Sequence, residues 1–245
     1  MQSEISIQRV KTAIILAGGL GKRLRNVVPG LPKPMAPILG RPFLEHQMDY
    51  WIAQGIQRFV LSVGYGREQI IDYFGDMYKV TPITYAIEEQ PLGTGGGLIQ
   101  ALHYVEDKET VVAMNGDTFF EVNLEELYSF HLDRKSSLTL ALFCATGPER
   151  YMGMELDSMG RILSFNLVNG KSQIVCNGGV YLFRPDALGP ADFFECPVSL
   201  EADIFPELLA CEKPIYGYIS SGKFIDIGVP DDYFRAPNII TRVVS

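Results

Sequence analysis

Five residues, Thr12-Ala13-Ile14-Ile15-Leu16, run straight into Ala17-Gly18-Gly19-Leu20-Gly21-Lys22-Arg23-Leu24, and ten residues beyond Arg23 stands the triplet Lys33-Pro34-Met35. A short apolar run cut off by glycine predicts a buried strand that delivers a loop to one end of a sheet. Three glycines within four positions leave backbone N–H groups uncovered by side chains, so a bulky anion can approach the main chain closely. Arg23 and Lys33 set two cations beside that bare backbone, and the whole predicts a phosphate cradle. It is neither of two familiar ones. A P-loop needs Gly-Lys followed by Ser or Thr, and Lys22 is followed by Arg23. A dinucleotide fingerprint needs a glycine at the position of Leu24, which weakens a nicotinamide oxidoreductase as the alternative.

The rest of the chain alternates. Arg41-Pro42 opens a helix with Phe43, Leu44, Met48, Trp51 and Ile52 on one face, ending at Gly55. Strands are expected at 59–63, 83–87, 111–114 and 138–143, with helices at 68–74, about 96–104 and 124–134 between them. This rhythm predicts an α/β fold: a Rossmann-like, doubly wound, mostly parallel sheet with helices on both faces, and ligands beyond the carboxyl ends of the strands. From about residue 147 the pattern loosens. A hairpin turns at Asp157-Ser158-Met159-Gly160, a strand covers 174–183, a helix 201–210 and a strand 215–219, and a last helix starts near Pro230. With no linker or repeat, one domain over 1–245 is expected, 11–146 serving as its nucleotide half and 147–235 as its sugar half.

A formal net charge of -8 argues against nucleic acid or an anionic membrane as partner, and not against a nucleotide, whose phosphates a metal and a few cations can neutralise. Cys144, Cys176, Cys196 and Cys211 stand far apart with no His at ligand spacing, which predicts no zinc and fits the reducing cytoplasm. No stretch approaches the roughly 18 uninterrupted apolar residues of a membrane span. His46, His103 and His131 fall on predicted helices without catalytic partners and are expected at surfaces or helix ends.

Two acidic residues stand out. Asp117 follows the apolar run 111–114 in Asn115-Gly116-Asp117, at a strand end over the expected site, where a single Asp could equally be a turn or cap residue. Asp226 sits inside Phe224-Ile225-Asp226-Ile227, where an unpaired charge is costly. One Mg2+ held by Asp117 and Asp226 would account for both, because magnesium takes one or two carboxylates together with substrate phosphates.

Gly-Gly-x-Gly-x-Arg-Leu followed by Lys-Pro-Met, with Asn115-Gly116-Asp117 and the late Asp226-x-Gly228-x-Pro230 in that order, resembles the motif set of the sugar nucleotidyltransferases, which join a nucleoside triphosphate to a sugar 1-phosphate. The resemblance spans Ala13 to about Tyr233. It implies catalysis by Arg23 and Lys33, magnesium on Asp117 and Asp226, and a nucleotide held by Leu16, Gly18, Gly19, Gly21, Glu88, Gly93 and Thr94. In the second glycine loop, Glu88 to Gly96, it implies that Glu88 reaches the base edge. A carboxylate only accepts hydrogen bonds, and guanine offers two adjacent donors, so Glu88 leans towards GTP while leaving uracil or a plain loop carboxylate open. For the sugar phosphate it implies Gly116, Asn177, Gly178 and Glu201, the last also readable as a helix start after Ser199. One departure stands: where the family carries Glu-Lys shortly after the strand ending at Phe165, this chain has Asn166-Leu167-Val168, so either Lys171 serves from a shifted position or the phosphate is held differently. Tyr151 either lines the sugar pocket or packs. The motif wording is nearest to members that take a heptose 1-phosphate and GTP. A mannose or glucose 1-phosphate with GTP or UTP, and a non-catalytic sugar-nucleotide sensor, remain open, as does a homodimer.

Overall fold

The computed structural model describes residues 10–21, 23–24, 26–106, 108–146, 153–165, 173–188 and 197–240. In chain order these form β1 (Thr12–Leu16), β2 (Pro37–Ile38), β3 (Arg41–Pro42), α1 (Phe43–Ala53), β4 (Arg58–Val63), α2 (Arg67–Phe74), β5 (Met77–Tyr78), β6 (Thr81–Ile87) and α3 (Gly93–Leu102). There follow β7 (Val111–Asn115), β8 (Thr118–Phe120), α4 (Leu124–Asp133), β9 (Leu138–Thr146), β10 (Gly153–Leu156), β11 (Ile162–Ser164) and β12 (Gln173–Phe183). The chain continues through α5 (Phe205–Ala210), β13 (Ile215–Ile219), β14 (Phe224–Asp226) and α6 (Pro230–Ile240).

Strands β6, β4, β1 and β7 lie side by side and parallel, Thr12 facing Arg58 on one flank and Val111 on the other. Beyond β7 the long strand β12 runs antiparallel, then β9 and β13 return to the parallel direction. The free flank of β12 carries the β10–β11 hairpin, where Asp157 Oδ1 accepts N–H bonds from Met159 and Arg161 at 2.8 Å each. The sheet is therefore mostly parallel in its first half and mixed in its second.

Strand residues alternate between two cores, as a two-residue period requires. Ala13 and Ile15 of β1 join Leu44, Met48 and Trp51 of α1 and Leu127 of α4 on one face. Ile14 joins Leu98 and Ala101 of α3 and Phe205 and Leu208 of α5 on the other. A third, smaller core packs α6 (Ala236, Ile240) and the β8–β14 ladder (Phe119, Ile225) against Leu24, Val28, Ile38 and Phe43.

Three expectations need correction. The helix after the second glycine loop begins at Gly93, because Val198 O accepts Gly95 N at 2.8 Å and Gly96 N at 3.4 Å and so caps amides that its first turn leaves free. The helix expected at 201–210 opens as a wide π-turn, Leu200–Ile204, on an N-cap in which Ser199 Oγ accepts Ala202 N at 3.1 Å, and turns α-helical only at Phe205. Of the surface or helix-end places expected for the histidines, His131 takes a helix end, in the last turn of α4, but both it and His46 are buried: His46 Nε2 bonds Ile38 O at 2.9 Å and His131 Nδ1 bonds Thr139 Oγ1 at 2.8 Å. Burial and the Arg184 charge push His131 down to about 4, so its ring is neutral at pH 7.

Candidate active site

The carboxyl ends of β1, β4, β6 and β7 open onto a cavity of about 490 Å3. Of the nucleotide and catalytic residues expected from sequence, Leu16, Gly18, Gly19, Arg23, Lys33, Glu88, Gly93 and Thr94 line it, together with Gly116, Asp117 and Asp226. Gly21 lies just behind: its φ of +61° turns the chain, and a Cβ there would stand 2.9 Å from Lys33 Cγ, so the turn makes room for the lysine stem.

The two aspartates meet because β8 and β14 pair. Asp226 faces Thr118 across that ladder, and Asp117 O accepts Ile227 N at 3.0 Å. Both carboxylates then crowd one point: a Cβ built on Gly228 would lie 2.8 Å from Asp226 Oδ1, 3.3 Å from Asp117 Oδ2 and 2.6 Å from Lys33 Nζ. Lys33 Nζ pairs with Asp117 Oδ2 at 2.6 Å. Burial first, then the Asp117 charge, raise the Asp226 carboxyl above its usual range, against Gly228 N–H, Lys33 and Arg23, which lower it. Burial, with the Asp117 charge beside it, thus disfavours the ionised Asp226, and a bound cation would relieve that penalty. No group of three or more His, Cys, Asp or Glu suited to a metal occurs among the described residues, so a cation at this point would take two protein carboxylates, Asp117 and Asp226. That fits magnesium, which keeps water and phosphate oxygens for its remaining positions.

The glycines divide by what surrounds them. Gly19 has open space around its absent side chain, whereas a Cβ on Gly18 would strike Glu88 Oε1 at 2.2 Å. Glu88 folds into that gap, its Oε1 accepting Ser62 Oγ–H at 2.8 Å and its Oε2 accepting Leu92 N–H at 3.2 Å. Gly116 lets the β7 and β1 ends touch, its N–H bonding Leu16 O at 2.9 Å where a Cβ would come within 2.6 Å of the same oxygen.

Of the residues expected to hold the sugar, Asn177, Gly178 and Glu201 do not line this cavity. Asn177 Nδ2 donates to Tyr181 Oη at 2.9 Å, Tyr181 Oη donates to Glu201 Oε1 at 3.3 Å, and Thr94 Oγ1 donates to Glu201 Oε2 at 3.1 Å. The chain of contacts ties the sugar-side residues to the second glycine loop. Gly178 packs instead, its missing Cβ giving way to the Phe120 ring at 2.3 Å. Lys171, Tyr151 and the segment Asn166-Leu167-Val168 lie outside the described residues.

Sequence reasoning missed Gln47. Buried in α1, its Nε2 donates to Asn115 O at 2.9 Å and to Thr118 O at 2.6 Å, clamping the turn that carries Asp117. On the helical pattern it is simply a polar residue between core positions, and only the tertiary contact shows its task. Asn115 and Thr118 line the cavity, and Asn115 Oδ1 and Thr118 Oγ1 are buried without a hydrogen-bond partner among the described residues.

A mostly parallel sheet whose strand ends hold a glycine floor, two basic side chains and two converging acids is the architecture of a phosphate-handling transferase. The family model for nucleotidyl transferases matches residues 12–243, and the chain belongs to that family. It is 45% identical over 224 residues, 91% of this chain and 96% of the relative, to D-glycero-alpha-D-manno-heptose 1-phosphate guanylyltransferase of Aneurinibacillus thermoaerophilus. Its identity to the protein of that name from Campylobacter jejuni is 37%, over 91% of this chain and 97% of the relative. Among solved structures, HddC from Yersinia pseudotuberculosis complexed with GMP-PN superposes with a TM-score of 0.80 at 32% identity, covering 94% of this chain and 99% of that one.

Proposed function

We propose that this chain transfers GMP from GTP to D-glycero-α-D-manno-heptose 1-phosphate, giving the GDP-heptose and pyrophosphate. The observation that carries this is the 45% identity to a heptose 1-phosphate guanylyltransferase over nearly the full length of both chains.

An oxygen of the sugar 1-phosphate forms a bond to the α-phosphorus of GTP in line, and the bond from that phosphorus to the bridging oxygen of the β-phosphate breaks. Pyrophosphate leaves with the electron pair. The attacking phosphate oxygen is already ionised at neutral pH, so no side chain has to act as base or form a covalent intermediate. The work of the protein is to hold two polyanions together and to stabilise the charge of the transition state. Lys33 and Arg23 supply positive charge to the cavity, and Gly19 lines the same space with nothing within 4 Å of where its side chain would stand. Asp117 and Asp226 would hold Mg2+, which supplies a Lewis acid that draws charge from phosphate oxygens. Glu88, fixed by Ser62 and Leu92, presents acceptors only, which suits the N1–H and N2 amino donors of guanine. A nucleoside triphosphate substrate and the free thiols of Cys144, Cys176 and Cys211 fit a cytoplasmic setting.

The test is a pyrophosphate-release screen of GTP, UTP, CTP and ATP against heptose, mannose and glucose 1-phosphates with Mg2+. Release is expected with GTP and the heptose 1-phosphate. Preference for another pair refutes the assignment, and binding of the product without release with any pair identifies a sensor.

A further inference from the structure

We propose that a second cavity, at the opposite end of the sheet from the active site, binds a compact oligophosphate. This cavity, of about 550 Å3, opens where β7, β9 and β13 begin and the antiparallel β12 ends, so the length of strand β7 separates it from Asp117.

Four cations line it: Lys108 before β7, Lys135 between α4 and β9, Arg184 after β12 and Lys213 before β13. They come from four separate connections, and only the sheet topology brings them together. Asp186 is the one carboxylate of the lining, and it is taken by Arg184 through contacts of 3.1 and 2.6 Å. None of the three lysines forms an ion pair among the described residues. A chain of net charge -8 thus collects, in one concavity, three lysines without an ion pair among the described residues. The buried His131 ring forms part of the wall and stays neutral at pH 7 beside Arg184, so it adds no charge of its own and keeps a polar edge at the site.

Concentrated positive charge inside a concave wall focuses a field that recruits anions. Three free cations match a ligand of several negative charges and exceed what a carboxylate or chloride would neutralise. The concave shape suits a small soluble molecule, and the acidic remainder of the surface repels a lipid bilayer and nucleic acid.

The experiment is calorimetric titration of the full chain with inorganic tripolyphosphate, beside Lys33→Ala and the double variant Lys135→Ala/Lys213→Ala. Wild type is expected to show two sites. Lys33→Ala should keep the second, and the double variant should weaken it at least tenfold while its melting temperature and the first site stay unchanged, because both lysines are exposed. One site in wild type that Lys33→Ala abolishes, or a second site indifferent to the double variant, overturns the proposal. So does tripolyphosphate failing to bind while vesicles containing phosphatidylglycerol do.

Discussion

The two halves of the site are built by different means. On the side expected to take the nucleotide, Leu16, Ser62 and Asn115 stand at or next to the last residues of the parallel strands β1, β4 and β7, and Gly18, Gly19, Glu88, Gly116 and Asp117 follow within three positions of the ends of β1, β6 and β7. Their placement is local: the register of β6, β4, β1 and β7 sets where the ends of β1, β6 and β7 fall, and with them Gly19, Glu88 and Asp117. Among the residues expected on the sugar side, Asn177 and Glu201 are joined through Tyr181, and Glu201 reaches the second glycine loop through Thr94, beside the Val198 backbone contacts with Leu92, Gly95 and Gly96. That side is a hydrogen-bonded relay between distant segments, one that a local change can loosen without disturbing the sheet. The first half should lose chemistry when altered, and the second should lose substrate discrimination.

The sharpest way to break this contrast is Asp226→Asn. Turnover should fall on the order of 10²–10³-fold in pyrophosphate release, as when a charge-stabilising group at a reacting phosphate is removed. The same variant should melt higher without metal. The folded-state pKa of Asp226 is raised, so its ionised form opposes folding once pH rises through that value, and removing the charge relieves Asp117. A variant that melts lower and turns over normally would take Asp226 out of the electrostatic account.

Gly116→Ala and Gly19→Ala separate packing from binding within the nucleotide half. The first drives a Cβ to 2.6 Å from Leu16 O and should cost about 1–3 kcal/mol of stability by denaturant titration. The second enters open space and should leave stability within about 0.5 kcal/mol while weakening GTP binding. Gln47→Met should lose about 1–2 kcal/mol, since two carbonyls forfeit a buried donor. Its kcat should fall more than its KM for GTP, because the clamp sets where Asp117 stands. Smallest is Glu201→Gln, expected to raise the KM for the sugar 1-phosphate by about tenfold, near 1.4 kcal/mol, and to leave that for GTP unchanged. A larger effect on GTP would mean that the relay through Thr94 governs the nucleotide loop.

The parallel core was legible in the sequence because each strand is apolar on both faces and each helix carries a one-sided stripe, so local pattern and burial agree. The glycine loops were legible as loops, and their internal logic was not. Of Gly18 and Gly19, adjacent and chemically identical, one accommodates the Glu88 carboxylate and the other faces open space, a difference decided by where β6 ends. The meeting of Asp117 and Asp226 was inferred from the cost of a charge in an apolar run, and the β8–β14 ladder supplies the contact. The π-turn at Leu200 and the burial of His46 and His131 were hidden, since a 3.6-residue pattern reports neither a widened turn nor which polar residues find a buried partner.

The central claim is that Asp117 and Asp226 share one divalent cation. Titrating Mn2+ into the protein with a non-hydrolysable GTP analogue, by electron paramagnetic resonance, for wild type, Asp117→Asn, Asp226→Asn and the double variant, tests it most directly. The account predicts that either single change abolishes most of the tight binding and that the second adds little, the non-additivity of two ligands on one ion. Independent, additive losses, or tight binding that survives either change, would contradict it.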